Sequence, residues 1–245
     1  MSGSALSRLW YPPRLIMAEM DAPDDVAAFI ESRSLDYSTR LEDDFVERAL
    51  TLGVESGTVL EVGARVGLIL LRALHRNENL VGIGLDTSGP LIERARETAV
   101  AWDLADRAVF QVGDARRMRF KAGYFDLVVS DRALHRFDDA ASVLAEIARV
   151  LKPKGALLVR DYQRPNRLAL SSTIRRHAAR WNSGMGPQLD ASIRAAYTAA
   201  ELRHMVRNAG LRGNAAPSAD SDFIFIEQRG ETDPGSWVTA RDQYR

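Results

Sequence analysis

Four carboxylates stand where short apolar runs end: Glu61 inside Thr58–Val62, Asp86 after Leu80–Leu85, Asp114 after Ala108–Gly113, and Asp131 after Phe125–Ser130. A carboxylate accepts hydrogen bonds from hydroxyl and amino groups, and strand ends converge on one crevice in an open α/β sheet. Acids placed this way suit recognition of a polar ligand in that crevice. Each has a plainer use as well. Asp86 suits the cap of the helix that follows, with Thr87 and Ser88 sharing the work, and Gly113-Asp114 is a common turn pair. Among groups able to move a proton, His135 is the histidine at a strand end, and its imidazole titrates near physiological pH.

The elements that must hold these groups are legible in the same stretches. Thr58-Val59-Leu60-Glu61-Val62-Gly63-Ala64-Arg65-Val66-Gly67 reads as a strand and a tight glycine turn, and Leu68–Leu74 as the helix after it. Such a corner binds nucleotides in α/β sheets. The dinucleotide pattern G-x-G-x-x-G is excluded, because Gly63, Arg65 and Leu68 occupy its three places. Further strands are expected at Leu80–Leu85, Ala108–Val112, Phe125–Ser130, Ala156–Arg160 and Phe223–Glu227. Helices are expected at Pro90–Trp102, Ala140–Leu151 and Thr198–Ala209. The alternation predicts a largely parallel sheet. Ahead of it, Val26, Phe29 and Ile30, then Leu41, Phe45, Val46, Ala49 and Leu50, mark apolar faces of helices between Asp24 and about Leu52, with Asp24 or Asp25 as a cap. The first thirteen residues read either as disordered or as laying Trp10 and Tyr11 on the domain.

Composition narrows the classes. With 245 residues and 46% hydrophobic content, the chain can bury one good core. A net charge of zero disfavours a dedicated nucleic-acid binder. The absence of cysteine excludes disulfides, thiolate metal sites and cysteine nucleophiles, and four scattered histidines give no metal cluster, so no metal is expected. No apolar run is long enough to span a membrane, and a cytoplasmic protein is the expectation.

Read as acid-x-Gly-x-Gly-x-Gly, the first corner fits at Glu61, Gly63 and Gly67 and departs at Arg65; it resembles motif I of the class I S-adenosylmethionine-dependent methyltransferases. Phe125–Asp131 with Ala133-Leu134-His135 resembles motif IV and the loop after it. Leu144–Leu151 with Lys152-Pro153-Lys154-Gly155 is similar to the family's R-x-L-K-P-G-G turn. With lysine in place of the first glycine, either a type I turn forms or Lys154 takes a positive φ at about 1 kcal/mol. The resemblance covers roughly Glu42 to Gln228. Asp161–Pro165 and Ser192–Thr198 look like a bacterial small-molecule subgroup.

The resemblance implies a seven-stranded, doubly wound Rossmann-like α/β sheet with an N-terminal helical cap and a lid insertion. The implied divisions are a tail and cap over 1–52, a cofactor-binding core over 53–160, the lid over 161–197, a closing helix and strand over 198–230, and a tail over 231–245. Phe223–Glu227 becomes the antiparallel strand beside strand five. It implies S-adenosylmethionine as cofactor, S-adenosylhomocysteine as product and a small molecule as methyl acceptor. Glu61, Gly63, Ala64, Arg65 and Gly67 are then expected at its methionine end, Asp86 and Thr87 at the ribose, Gly113, Asp114 and Ala115 at the adenine, and Ser130 where methionine meets acceptor. His135, Asp131 and Tyr162 are the acceptor-side candidates, in that order.

Two features leave readings open. Arg65 either closes the site, swings outward, or pairs its guanidinium with the cofactor carboxylate. Arg160–Arg180, with six arginines and an apolar stripe at Leu170, Ile174, Ala178 and Trp181, reads as a site for an acidic or flat aromatic acceptor, as a docking face, or as a solvated surface. A methyltransferase-like module that has lost catalysis is the alternative function. A nucleic-acid methyltransferase is disfavoured by the zero net charge and by the lack of an Asn/Asp-Pro-Pro-Tyr motif after strand four. A homo-oligomer is left open.

Overall fold

The computed structural model describes residues 10–17, 23–32, 36–180, 186–217 and 222–231. The tail beyond 231, the first nine residues, Trp181, and the capping side chains Asp24 and Asp25 lie outside that description. Two helices, α1 (Pro23–Ser32) and α2 (Asp36–Leu50), precede the sheet. The chain then alternates through β1 (Gly57–Val62), α3 (Leu68–Arg76), β2 (Leu80–Asp86), α4 (Gly89–Ala101), β3 (Ala108–Val112), β4 (Phe125–Asp131), a single 3-10 turn at Leu134–Arg136, α5 (Ala140–Val150) and β5 (Leu151–Tyr162). It closes with α6 (Leu170–Ala178), α7 (Gly186–Ala195), α8 (Ala199–Asn208), β6 (Asn214–Pro217) and β7 (Phe223–Gln228).

The strands order as β3-β2-β1-β4-β5-β7-β6. β1 to β5 run parallel, and β7 pairs antiparallel with β5 and β6. Strands inside a parallel sheet are covered on both faces and so read as unbroken apolar runs. Val59, Leu60 and Val62 of β1 and Leu127, Val128 and Val129 of β4 are buried in this way. Residues from α2, α3 and α4 form the core on one face, among them Phe45, Leu70 and Ile92. α5 and α8 supply the other, with Leu144, Ile147, Leu202 and Val206. A smaller cluster beyond the end of β5 joins Tyr162 and Phe223 to Leu170 and Ile174 of α6 and Leu189 and Ile193 of α7.

Three details differ from the sequence expectation. The Lys152–Gly155 segment is no separate turn; it is the start of β5. Phe125 pairs with Leu151 but Leu127 with Ala156, so β5 carries the surplus residues as a bulge. Lys154 is absent from the residues of positive φ, so it carries no left-handed strain. The short edge strand β6 has no run of apolar residues to announce it, and the sequence did not locate it. At the N-terminus the aromatics are not what anchors the chain. Trp10 is 53% exposed, whereas Arg14 stacks on the Tyr197 ring and donates to the Tyr197 hydroxyl and the Phe137 carbonyl.

Chain order reverses on either side of β1, since β2 and β4 flank it. A crevice therefore opens beyond the carboxyl ends of β1 and β4, where the helices above the sheet diverge.

Candidate active site

A cavity of about 220 Å³ fills that crevice. Gly63 and Arg65 after β1, Asp86 and Thr87 after β2, and Gly113, Asp114 and Ala115 after β3 all line it. The turn after β1 needs its glycines. Gly63 has φ +75°, and a Cβ there would lie 2.3 Å from the Ala133 Cβ. Gly67 has φ +74° at the N-cap of α3, with the Phe110 ring 2.4 Å from where a Cβ would stand. A glycine N-cap offers no side-chain acceptor, and Glu61 supplies one instead: its Oε2 accepts from the Leu70 amide at 3.1 Å. Leu70 is the third residue of α3, so one orphan amide at the positive end of the helix meets a carboxylate. Glu61 thus holds the helix in place and does not line the cavity.

The Asp86 carboxylate is fixed by backbone amides, Oδ2 accepting from Arg65 at 2.9 Å and Oδ1 from Ser88 at 3.0 Å. A carboxylate offers about four lone-pair sites, which leaves acceptor capacity toward the cavity. Asp114 accepts from Arg116 Nε with both oxygens, at 3.0 and 3.1 Å, and Arg116 reaches on to Asp138 at 2.8 Å. The Arg116 hydrogen bond holds the Asp114 carboxyl below the usual carboxylate range, against a small opposing effect of burial.

The remaining wall comes from two places. Ala133, Arg136, Phe137 and Asp138 arrive from the loop after β4, and Ile16 and Met17 from the N-terminal segment, which is pinned by the Leu15 amide on the Arg194 carbonyl at 3.1 Å. The Ala133-Leu134-His135 stretch signalled the loop. Ile16 and Met17 carried no sequence signal, because only the tertiary anchors at Arg194, Tyr197 and Phe137 bring them there.

The other expected residues stand behind this wall. Ala64 is buried with its amide on the Leu85 carbonyl, and Ser130 donates to the Val62 carbonyl at 2.9 Å, joining β4 to β1. None of the three acceptor-side candidates lines the cavity. Asp131 is buried between Arg132 at 3.0 Å and Arg160 at 2.7 Å. Burial alone raises its pKa, but Arg132, Arg160 and Arg65 together hold the carboxyl well below its usual range. It is a locked anion and a poor proton acceptor. Tyr162 is buried too, stacked on Phe223 with ring centroids 5.4 Å apart, and its phenol interacts with Arg132. His135 is clamped by Asp161, which accepts from its backbone amide and pairs with Nδ1, both at 2.6 Å. Its neighbours Ala133, Arg136 and Phe137 all line the cavity. Asp161 carries no sequence signal as the partner of His135, because it lies inside β5 and only the pairing of β4 with β5 brings the two together.

Arg65 points inward. Its φ is +52°, its Nη2 donates to the Asp131 carbonyl at 2.7 Å, and its guanidinium lies 4.9 Å from the Phe29 ring centroid. Burial, then the nearby Arg132, lowers its pKa against the opposing pull of Asp131, Asp86 and Glu61. The basic run after β5 is largely spent on internal pairs. Arg160 is inside the Asp131 cluster, buried Arg164 meets Glu201 at 2.6 Å, and Arg176 and Arg180 face Asp222. A free cationic docking face is therefore not what these residues form.

A Rossmann-like sheet with acids at successive strand ends around one crevice defines a nucleotide-binding α/β domain. Residues 60–159 match the family model described as "Methyltransferase domain". The 27-O-demethylrifamycin SV methyltransferase of Amycolatopsis mediterranei is 32% identical over 140 residues, 57% of this chain and 48% of the relative. A ubiquinone/menaquinone biosynthesis C-methyltransferase of Geotalea daltonii is 26% identical over 138 residues, 50% of this chain and 59% of the relative. The chain spans about half the length of these curated relatives. An O-methyltransferase family protein from Burkholderia thailandensis superimposes with a TM-score of 0.62 at 26% identity, over 85% of this chain and 60% of that one. Residues 60–159 thus resemble the methyltransferase domain that these relatives carry.

Proposed function

We propose that the protein transfers the methyl group of S-adenosylmethionine to a small-molecule acceptor. The observation that carries this is the convergence of Asp86, Asp114 and the glycine turn at Gly63 on one cavity at the switch point of the sheet. The residues present fit the cofactor's chemistry. Asp86 retains acceptor capacity for a ribose diol, an exocyclic amine would replace part of Arg116 on the Asp114 carboxylate, and the missing Cβ at Gly63 keeps the floor of the cavity low.

When bound, S-adenosylmethionine supplies an electrophilic methyl on a sulfonium. The protein's own work is to position and to exclude water, which suffices for an in-line displacement. Asp86 and Asp114 fix the nucleoside end. His135 is buried behind the cavity wall and clamped by Asp161, so its part is to position the loop that carries Ala133, Arg136 and Phe137. Ile16 and Met17 close one side, and α6 and α7, packed beyond β5, would form the acceptor-side cover. The named substrates of the relatives, a rifamycin precursor and a quinone precursor, support a small organic acceptor.

The binding step is tested by thermal unfolding with S-adenosylmethionine and S-adenosylhomocysteine. At a hundredfold excess over Kd, either ligand should stabilise the fold by about 2.7 kcal/mol, raising Tm by roughly 5–10 °C. An unmoved Tm at millimolar ligand would favour the other reading, a methyltransferase-like module in which Arg65 has closed the site.

A further inference from the structure

Arg65 is a cation held near carboxylates but in ion-pair contact with none among the described residues. It stands in the cavity wall, and among the described residues its guanidinium donates only to a backbone carbonyl, that of Asp131. The nearest candidate, the Asp131 carboxylate, is already shared between Arg132 and Arg160, which are themselves buried. Asp86 accepts the Arg65 and Ser88 amides. Burial without an ion-pair contact is unfavourable for a guanidinium, and the backbone here also takes a left-handed φ of +52°, which residues other than glycine avoid. A glycine would relieve both costs. The side chain is held ready, pinned by one hydrogen bond and by the Phe29 ring, with donors left over.

We infer that Arg65 is the receptor for a carboxylate presented by the ligand, namely the carboxylate of the methionine portion, so that the cofactor is gripped at opposite ends by Asp86 with Asp114 and by Arg65. The inference rests on the proposed function. A planar guanidinium takes a carboxylate through two parallel hydrogen bonds, and in a partly dry site such a pair outweighs its counterpart in water. The site then selects ligands by their acid group and not by the nucleoside alone.

The test is calorimetric titration of the full chain with three probes: S-adenosylhomocysteine, its decarboxylated analogue, and methylthioadenosine, which lacks the amino-acid end. The native protein should prefer S-adenosylhomocysteine over the decarboxylated analogue by about ten- to a hundredfold. In Arg65→Gln that ratio should collapse to near unity with methylthioadenosine binding unchanged, and Arg65→Lys should restore part of it. A ratio that Arg65→Gln leaves unchanged, or a gain in S-adenosylhomocysteine affinity on removing the guanidinium, overturns the inference and makes Arg65 a plug. Equal affinity of the native protein for S-adenosylhomocysteine and its decarboxylated analogue overturns it while leaving the proposed function standing. Failure of all three probes to bind a folded native protein overturns both.

Discussion

Asp131 and His135 occupy similar places, each at or just past the end of β4, and their surroundings give them different work. Asp131 is shared by two buried arginines, so Asp131→Asn removes the carboxylate that bridges them and leaves Arg132 facing Glu42. The expected cost is about 3–5 kcal/mol at neutral pH, read as a lower urea midpoint. The sign of its pH dependence follows from its depressed pKa. The stability it contributes is complete above about pH 4, where the unfolded carboxyl ionises, and is lost as pH falls below that toward the folded value. The native protein should therefore lose stability steeply in acid and the asparagine variant less so; parallel acid profiles would contradict this. For His135, Asp161→Asn removes the clamp that sets the imidazole. It should lower stability by about 1–3 kcal/mol, read as a lower urea midpoint. An unchanged midpoint would show that the clamp contributes nothing to the fold. The acids at strand ends were legible because their places follow from the alternation of strand and helix. The fate of Asp131 was not, because Arg132 and Arg160 show nothing in sequence of which carboxylate they will meet.

The corner from β1 into α3 is one element with one tolerance. Gly67 combines a left-handed φ with a ring lying where a Cβ would stand, so Gly67→Ala should destabilise the protein by about 2–4 kcal/mol, visible in thermal unfolding. A Tm within a degree of native would show that the turn can relax. The glycines and the helix were legible as a motif, and so was the departure at Arg65. Its direction was not, because an arginine's reach is decided by what it finds, here the Asp131 carbonyl and the Phe29 ring. The β5 start failed for a related reason. Lys152-Pro153-Lys154-Gly155 has turn chemistry, but pairing with β4 on one side absorbs it as a bulge.

Across the whole molecule, the strand order carries the function, because the reversal about β1 opens the crevice and directs three strand ends into it. The alternation and the glycines announce a parallel sheet with a ligand corner after β1, while the doubly wound order is what the resemblance implies. The closing side of the cavity is announced by neither: Ile16 and Met17 arrive from the far N-terminus through anchors on Arg194 and Tyr197. The account's central claim is that this crevice binds S-adenosylmethionine. Calorimetric titration of the native protein and of Asp86→Ala with S-adenosylhomocysteine tests it most directly. The account predicts micromolar binding to the native protein and a loss of at least about tenfold in the folded variant. Equal affinity for both proteins, or no heat from a folded native chain, would contradict it.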